Sequence, residues 1–233
     1  MNSNTIGFIG AGNMASSLIR GLLSKGVNRS SILASDIDEK KLQELAKSCG
    51  VSATTNQQIA DSADIILLAV KPQVMKRVCS DLVMDKNATS PLIVSIAAGI
   101  TTGHLQNWLG CQYAIVRCMP NTPALIGEGI SGLFANANVS SHQKELAEKL
   151  MRAVGTCVWV DDECFGGTSI YDVCGICGDG ECQDSDGDGV EYSIGNDLSH
   201  QRCKIIDLVA RVVLSISSAI CDATTGVTYL LTY

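Results

Sequence analysis

The sequence predicts a doubly wound α/β fold with a parallel sheet over residues 1–163. An atypical acidic, cysteine-rich segment and a terminal helix follow over 164–233. Three observations carry this. Short apolar runs alternate with amphipathic stretches at the spacing of βαβ units. The runs are continuously apolar, as in strands buried on both faces of a parallel sheet. The first run feeds a glycine-rich turn that opens a helix.

Thr5–Gly10 is a short apolar run ending at glycine, the signal of a buried strand. Asn13–Ser24 places Met14, Leu18, Leu22 and Leu23 at helical spacing, and Gly26 just beyond marks the stop. Ser31–Asp36 is a second strand. Asp38–Ser48 is a helix with Leu42, Leu45 and Ala46 on one face. Asp64–Val70 is a run of Ile and Leu with almost no polar residue, and Pro91–Ile96 and Tyr113–Cys118 repeat that pattern. After Glu163 the alternation stops. Residues 164–200 are rich in Gly, Asp, Cys and Ser, which reads as loop or as a segment held by staples or metal. Ile205, Leu208, Val209, Val212, Ile216 and Ile220 then share one face of a helix over 204–221, although Val212–Ile216 also fits a strand.

Charge divides the chain at the same place. Residues 1–152 carry 14 Lys and Arg against 11 Asp and Glu, a net of +3; residues 153–233 carry 3 against 13, a net of −10. Six of the eleven cysteines fall in the last 70 residues. Such asymmetry between halves points to two modules, or to a tail. An acidic half argues against nucleic-acid binding, which needs a basic face. No run of 18 uninterrupted apolar residues predicts a membrane span, and no signal peptide is visible, so a cytoplasmic protein is expected.

The sharpest motif is Ile6-Gly7-Phe8-Ile9-Gly10-Ala11-Gly12-Asn13-Met14-Ala15, a G-x-G-x-x-A turn between strand and helix. Gly10 allows the tight turn, Gly12 lets backbone approach a pyrophosphate, and Ala15 lets the helix pack close to the strand. The helix N-terminus supplies N–H groups and a positive dipole end for the anion. The fold class is thus Rossmann-like. Asp36 ends the second strand 26 residues after Gly10, where an acidic side chain bonds a ribose 2′-hydroxyl and favours NAD. Lys40 and Lys41 follow and can offset its repulsion of a 2′-phosphate. Alternatively, Asp36 or Asp38 caps the next helix. The cofactor stays open as NADP or NAD.

Four motifs occur in order: Ile6–Ala15, Ala69-Val70-Lys71-Pro72-Gln73, Ser95-Ile96-Ala97-Ala98-Gly99 and Arg117-Cys118-Met119-Pro120-Asn121-Thr122-Pro123-Ala124. Together they resemble the N-terminal domain of pyrroline-5-carboxylate reductase over about residues 5–163. Gly127-Glu128-Gly129 and Val154-Gly155-Thr156 fit the same family. The resemblance implies reduction of the C=N bond of a small cyclic imine, 1-pyrroline-5-carboxylate, to L-proline with NAD(P)H. It implies that Gly10, Ala11, Gly12, Asn13, Met14 and Ala15 hold the pyrophosphate, and that Asn56 lies on the adenosine side. Ala69, Val70, Lys71 and Pro72 would end a strand at its carboxyl edge, with Lys71 reaching phosphate or ribose. Ala97 and Ala98 would let the nicotinamide approach backbone. Met119–Thr122 would floor the site, with Asn121 and Thr122 as catalytic candidates. On residue type alone, Lys71 also suits an ordinary surface lysine and Asn121 a turn cap.

The resemblance ends near Glu163. The family continues into a helical dimer domain with a Ser-Gly-Ser-Gly-Pro motif, and residues 164–233 have none. The homo-oligomer the family implies therefore has no recognisable dimer domain here. A second expectation is an NAD(P)-binding chain impaired in catalysis, with a C-terminal metal-binding or interaction segment; proline formation at family-like rates would refute it. A third, a two-domain hydroxy-acid dehydrogenase, needs a lysine on a helix after the sheet, and none lies between Lys149 and Lys204. Cys174, Cys177 and Cys182 offer three soft zinc ligands. Asp184, Asp186 and Asp188, followed by Gly189, match the first half of a calcium loop, but position twelve is Gly195.

Overall fold

A computed structural model describes residues 4–84 and 90–161, all within one compact unit. The segment expected over 164–233, its helix at 204–221 and the metal candidates Asp184, Asp186 and Asp188 lie outside the described residues.

Eight strands form one sheet in the order β3-β2-β1-β4-β5-β6-β7-β8. They are β1 (Ile6–Ile9), β2 (Ile32–Ser35), β3 (Ser52–Ala53), β4 (Ile65–Leu68), β5 (Leu92–Ser95), β6 (Ala114–Pro120), β7 (Gly129–Ala135) and β8 (Gly155–Trp159). The helices are α1 (Asn13–Ser24), α2 (Glu39–Cys49), α3 (Asn56–Ser62), α4 (Pro72–Asp81), α5 (Thr102–Leu109) and α6 (Ser141–Met151). β1 to β6 pair in parallel. β7 is antiparallel to β6, and β8 is parallel to β7, so the last two strands run the other way. The expected strands and the helices expected at 13–24 and 38–48 are present, with ends shifted by a residue or two.

The sheet is covered on both faces, which explains the continuously apolar strands. Ile6 and Phe8 of β1, Ile65 and Leu67 of β4, and Leu92 and Val94 of β5 pack with α1, α2 and α6. Their neighbours Ile9, Ile66, Leu68 and Ile93 point the other way, against α3, α4 and α5. Successive strand side chains alternate between faces, and here each face meets helices. The chain runs from β1 outward through β2 to β3, then crosses back to β4 on β1's other side. The strand order therefore reverses between β1 and β4, which is where open α/β sheets bind ligands, at the carboxyl ends of the strands.

Candidate functional site

The glycine turn sits at this switch point. Gly10 has φ +108°, and a Cβ placed there would lie 2.5 Å from the Ala69 carbonyl oxygen. Its N–H donates to the Ser35 carbonyl at 2.8 Å, and Ala69 N–H donates to the Ile9 carbonyl at 2.8 Å. The turn is thus pressed between the ends of β2 and β4, and only glycine fits. Gly12 differs: nothing lies within 4 Å of a Cβ built on it. Space above it is open, as backbone approach by a phosphate requires.

Gly12 is also the N-cap of α1, and no side chain caps that helix. Lys71 stands at the N-cap of α4, again without a side-chain cap, and Pro72 is α4's first residue. By contrast Asp38 caps α2, Thr55 caps α3, Thr101 caps α5 and Ser140 caps α6. Of the two capping alternatives at the end of β2, Asp38 is the cap: its Oδ1 accepts from Lys41 N–H at 3.2 Å.

Asp36 does something else. Its Oδ2 accepts from Ala11 N–H at 2.6 Å and its Oδ1 from Asp38 N–H at 2.8 Å. It ties the glycine turn to the β2–α2 loop. Beside it Ser35, 2% exposed, donates its hydroxyl to Oδ1 of Asn56 at 2.6 Å. Sequence reasoning missed Ser35. The one local trace of it, a hydroxyl at the end of an otherwise apolar strand, points to no role until Asn56 is known to be its partner.

The remaining candidates lie along the same edge. Ala69 and Val70 follow β4, both half-buried, and Lys71 is exposed. Ala97 and Ala98 follow β5, where Ala97 N–H donates to the buried Ser95 Oγ at 3.4 Å. Asn121 follows β6; its Oδ1 accepts from Ile130 N–H of β7 at 2.9 Å, which anchors the turn. Thr122, exposed, opens a 3₁₀ helix over Thr122–Ile126. That helix leans on α1, whose Ser17 hydroxyl donates to the Leu125 carbonyl at 3.2 Å. Four motifs spread from Gly10 to Thr122 are thereby brought to one edge. A cleft of about 620 Å³ lies beside the first of these motifs only, running from Ala11, Gly12 and Asn13 between α1 and α2 past Arg20, Lys41 and Glu44.

Away from this edge, Glu148 of α6 accepts from Trp159 Nε1 at 3.0 Å and from Arg152 Nε at 2.8 Å. These bonds hold its carboxyl below the usual range, the Trp159 bond most. Burial pushes the thiols up: Cys79 to about 12, Cys157 to about 11 and Cys118 well above the ordinary value. Among the described residues no group of three or more His, Cys, Asp or Glu is placed to hold a metal. No helix among them is long and apolar enough to cross a membrane.

The fold and the glycine turn define an α/β domain of the Rossmann type. Comparison with known proteins narrows this. A family model described as "NADP oxidoreductase coenzyme F420-dependent" matches residues 5–99. The pyrroline-5-carboxylate reductase of Pseudomonas aeruginosa is 48% identical over 164 residues, 70% of this chain and 60% of the relative. The solved structure of a pyrroline-5-carboxylate reductase from Coxiella burnetii superposes with a TM-score of 0.67 at 44% identity, covering 70% of this chain and 60% of that one. The Plasmodium falciparum pyrroline carboxylate reductase, solved with NADP bound, shares the fold with a TM-score of 0.63 at 22% identity, covering 97% and 72%. Over its N-terminal 70% the chain is similar in sequence and fold to the pyrroline-5-carboxylate reductases, which bears out the resemblance carried by its motifs. It spans about 60% of the length of the curated relatives it matches.

Proposed function

We propose that this chain reduces 1-pyrroline-5-carboxylate to L-proline with NAD(P)H. The observation that carries the proposal is the convergence of the four motifs on the carboxyl edge at the sheet's switch point, beside the uncapped N-terminus of α1. The residues fit a dinucleotide. Gly10 is a position that a Cβ would overfill, Gly12 opens onto free space, and no side chain caps the N-terminus of α1, whose first-turn N–H groups suit an anion. Gly10–Ala15 would hold the pyrophosphate, and Asp36 and Asn56 the adenosine ribose. Ile37, 89% exposed directly after Asp36, offers the adenine an apolar face.

The chemistry the cofactor supplies when bound is a hydride to the imine carbon, with oxidation of NAD(P)H to NAD(P)⁺ and a proton taken up at the ring nitrogen. The protein's part is placement. Ala97 and Ala98 present small side chains after β5, so a flat ring can lie close to backbone. Met119–Thr122 form a floor whose geometry is fixed by Pro120 and by the Asn121–Ile130 bond. Asn121 keeps its amide N–H groups for the substrate side, and Thr122 adds a hydroxyl. Such fixed placement suits hydride transfer, where reacting atoms must sit about 3–3.5 Å apart.

The test is NAD(P)H oxidation by the full chain with the cyclic imine, alongside direct cofactor binding. Imine-dependent oxidation with L-proline as product supports the proposal. Dinucleotide binding without turnover overturns the reductase assignment, and absence of binding overturns the site itself.

A further inference from the structure

We propose that Ser17 of α1 is a positioning residue for the reaction. Its bond to Leu125 holds the 3₁₀ helix of the imine floor at a fixed place against the helix that receives the dinucleotide phosphate. The inference rests on the proposed reduction and on the reading of this edge as its site.

A serine inside a helix commonly turns its hydroxyl back onto a carbonyl of the preceding turn. Ser24, Ser48 and Ser62 do so, donating to Gly21, Leu45 and Gln58. Ser17 does not. Its hydroxyl leaves α1 and donates to the Leu125 carbonyl, 108 residues on, at 3.2 Å. Ser17 lies about 7.5 Å along the helix axis from Gly12, so the bond starts close to the phosphate end of α1. The receiving carbonyl needs it. Leu125 is near the end of its 3₁₀ helix, and the N–H groups that follow go elsewhere, Gly127 to Ala124 at 3.2 Å and Glu128 to Pro123 at 3.1 Å. Carbonyls at a helix end need partners from outside the helix.

The 3₁₀ helix does not hold its place by burial alone. Of Thr122–Ile126 only Ala124 is buried, and Ile126 is 79% exposed. Ala124 rests on Gly129 at the start of β7, where a Cβ would lie 2.6 Å from the Ala124 Cβ. Gly129 in turn abuts Gly155 of β8, its partner in register, and no Cβ fits at Gly155 against the Gly129 carbonyl. The circuit closes on α1. Gly21, one turn beyond Ser17, leaves no room for a Cβ against the Ala153 carbonyl, two residues before Gly155. The 3₁₀ helix is therefore gripped between β7 on one side and the Ser17 hydroxyl on the other. It opens with Thr122, directly after Asn121, so its position sets the floor. Hydride transfer needs donor and acceptor within a few tenths of an ångström of their reacting distance. Ser17 links the element that carries the donor to the element that carries the acceptor.

The experiment measures kcat/KM for 1-pyrroline-5-carboxylate with NADH on the full chain. Calorimetry in parallel gives the NADH dissociation constant and the number of NADH sites per chain. Ser17→Ala is expected to keep the dissociation constant within about twofold and to lower kcat/KM per NADH site at least about tenfold. Its Tm should fall by no more than about 5 °C, the scale of one lost hydrogen bond. Ser17→Thr keeps the hydroxyl and is expected to stay within about threefold of wild type. Gly129→Ala pushes the 3₁₀ helix from the other side and should show the same loss of turnover with NADH binding kept. Adding Ser17→Ala to it should then cost less than about twofold more, because both act on one element. A merely structural role would lower the count of NADH sites and leave turnover per site unchanged, which overturns the inference. So would an NADH dissociation constant that weakens as much as turnover falls, a Thr variant as impaired as the Ala variant, or full additivity in the double variant. In each of these cases an active wild type leaves the proposed function standing. A wild type that binds NADH without turnover, or binds none, overturns the proposed function and this inference with it.

Discussion

Gly10 and Gly12 are two residues apart, and the structure separates their roles. Alanine at Gly10 must adopt φ +108° with its Cβ 2.5 Å from a backbone oxygen. Gly10→Ala is expected to lower stability by on the order of 3 kcal/mol, read by denaturant unfolding. Gly12 has φ −72° and an empty surrounding. Gly12→Ala is expected to leave stability within about 1 kcal/mol of wild type while weakening dinucleotide binding at least about tenfold, read by calorimetry. Equal effects on stability would refute the distinction. The thiols make a second residue-scale prediction. Reaction needs the thiolate, and burial holds Cys79 and Cys118 protonated. At pH 8 iodoacetamide should modify the half-buried Cys111 in the native protein and reach Cys79 and Cys118 only after unfolding, as peptide mapping would show. At this scale the glycine spacing and Asp36 were legible in the sequence because each belongs to a spaced pattern. Ser35 was not, since a lone hydroxyl at a strand end reveals nothing until its partner is known.

Elements were legible where the sheet is buried on both faces, because β1 and β4 are unbroken apolar runs and β2, β5 and β6 are interrupted only by Ser35, Ser95 and Arg117. β3 is two exposed residues and exists only by pairing with β2. α3 is polar apart from Ile59 and Ala60, and its signal is the Thr55–Gln58 capping box rather than periodicity. β7 contains Gly132 within a run of mixed burial, and β8 alternates as an outer strand does, so neither looks like β4. The reversal at β7 depends on the Asn121–Ile130 bond and the turn it anchors, a contact invisible to local pattern. β8 in turn is tied to α6 through Glu148, which accepts from Trp159 and Arg152, and Lys144 lies 5.4 Å from the Trp159 ring centre. Glu148 is held below its ordinary 4.5. A depressed carboxyl stabilises the fold above its unfolded value, and that contribution is lost as pH falls through the lowered one. Glu148→Gln is expected to flatten the acid limb of the stability curve below about pH 5. The effect should stay under about 1 kcal/mol because the group is solvent-screened. An acid limb identical to wild type would show that the pair contributes nothing.

At the scale of the molecule, the site is an assembly of distant parts. Gly10, Asp36, Asn56, Ala69, Ala97 and Asn121 come from separate strand ends, and only the assembled sheet brings them together. Ligand binding should therefore stabilise the whole described domain rather than one loop, and the gain follows mass action. A ligand that binds only the folded state adds about 2.7 kcal/mol at a hundredfold excess over its dissociation constant. For a domain of this size that corresponds to a rise in Tm of roughly 5–10 °C. The expected result is a calorimetric transition that climbs with the logarithm of NADH concentration and keeps a single peak for this domain. Gly12→Ala should start at nearly the same Tm and climb far less. Gly10→Ala should start lower, and whatever affinity it retains should still move its Tm, because the turn is completed by folding. If NADH narrowed local hydrogen exchange at the glycine turn without raising Tm, the strand ends would be responding one by one, and the convergence at the switch point would not be the unit that binds.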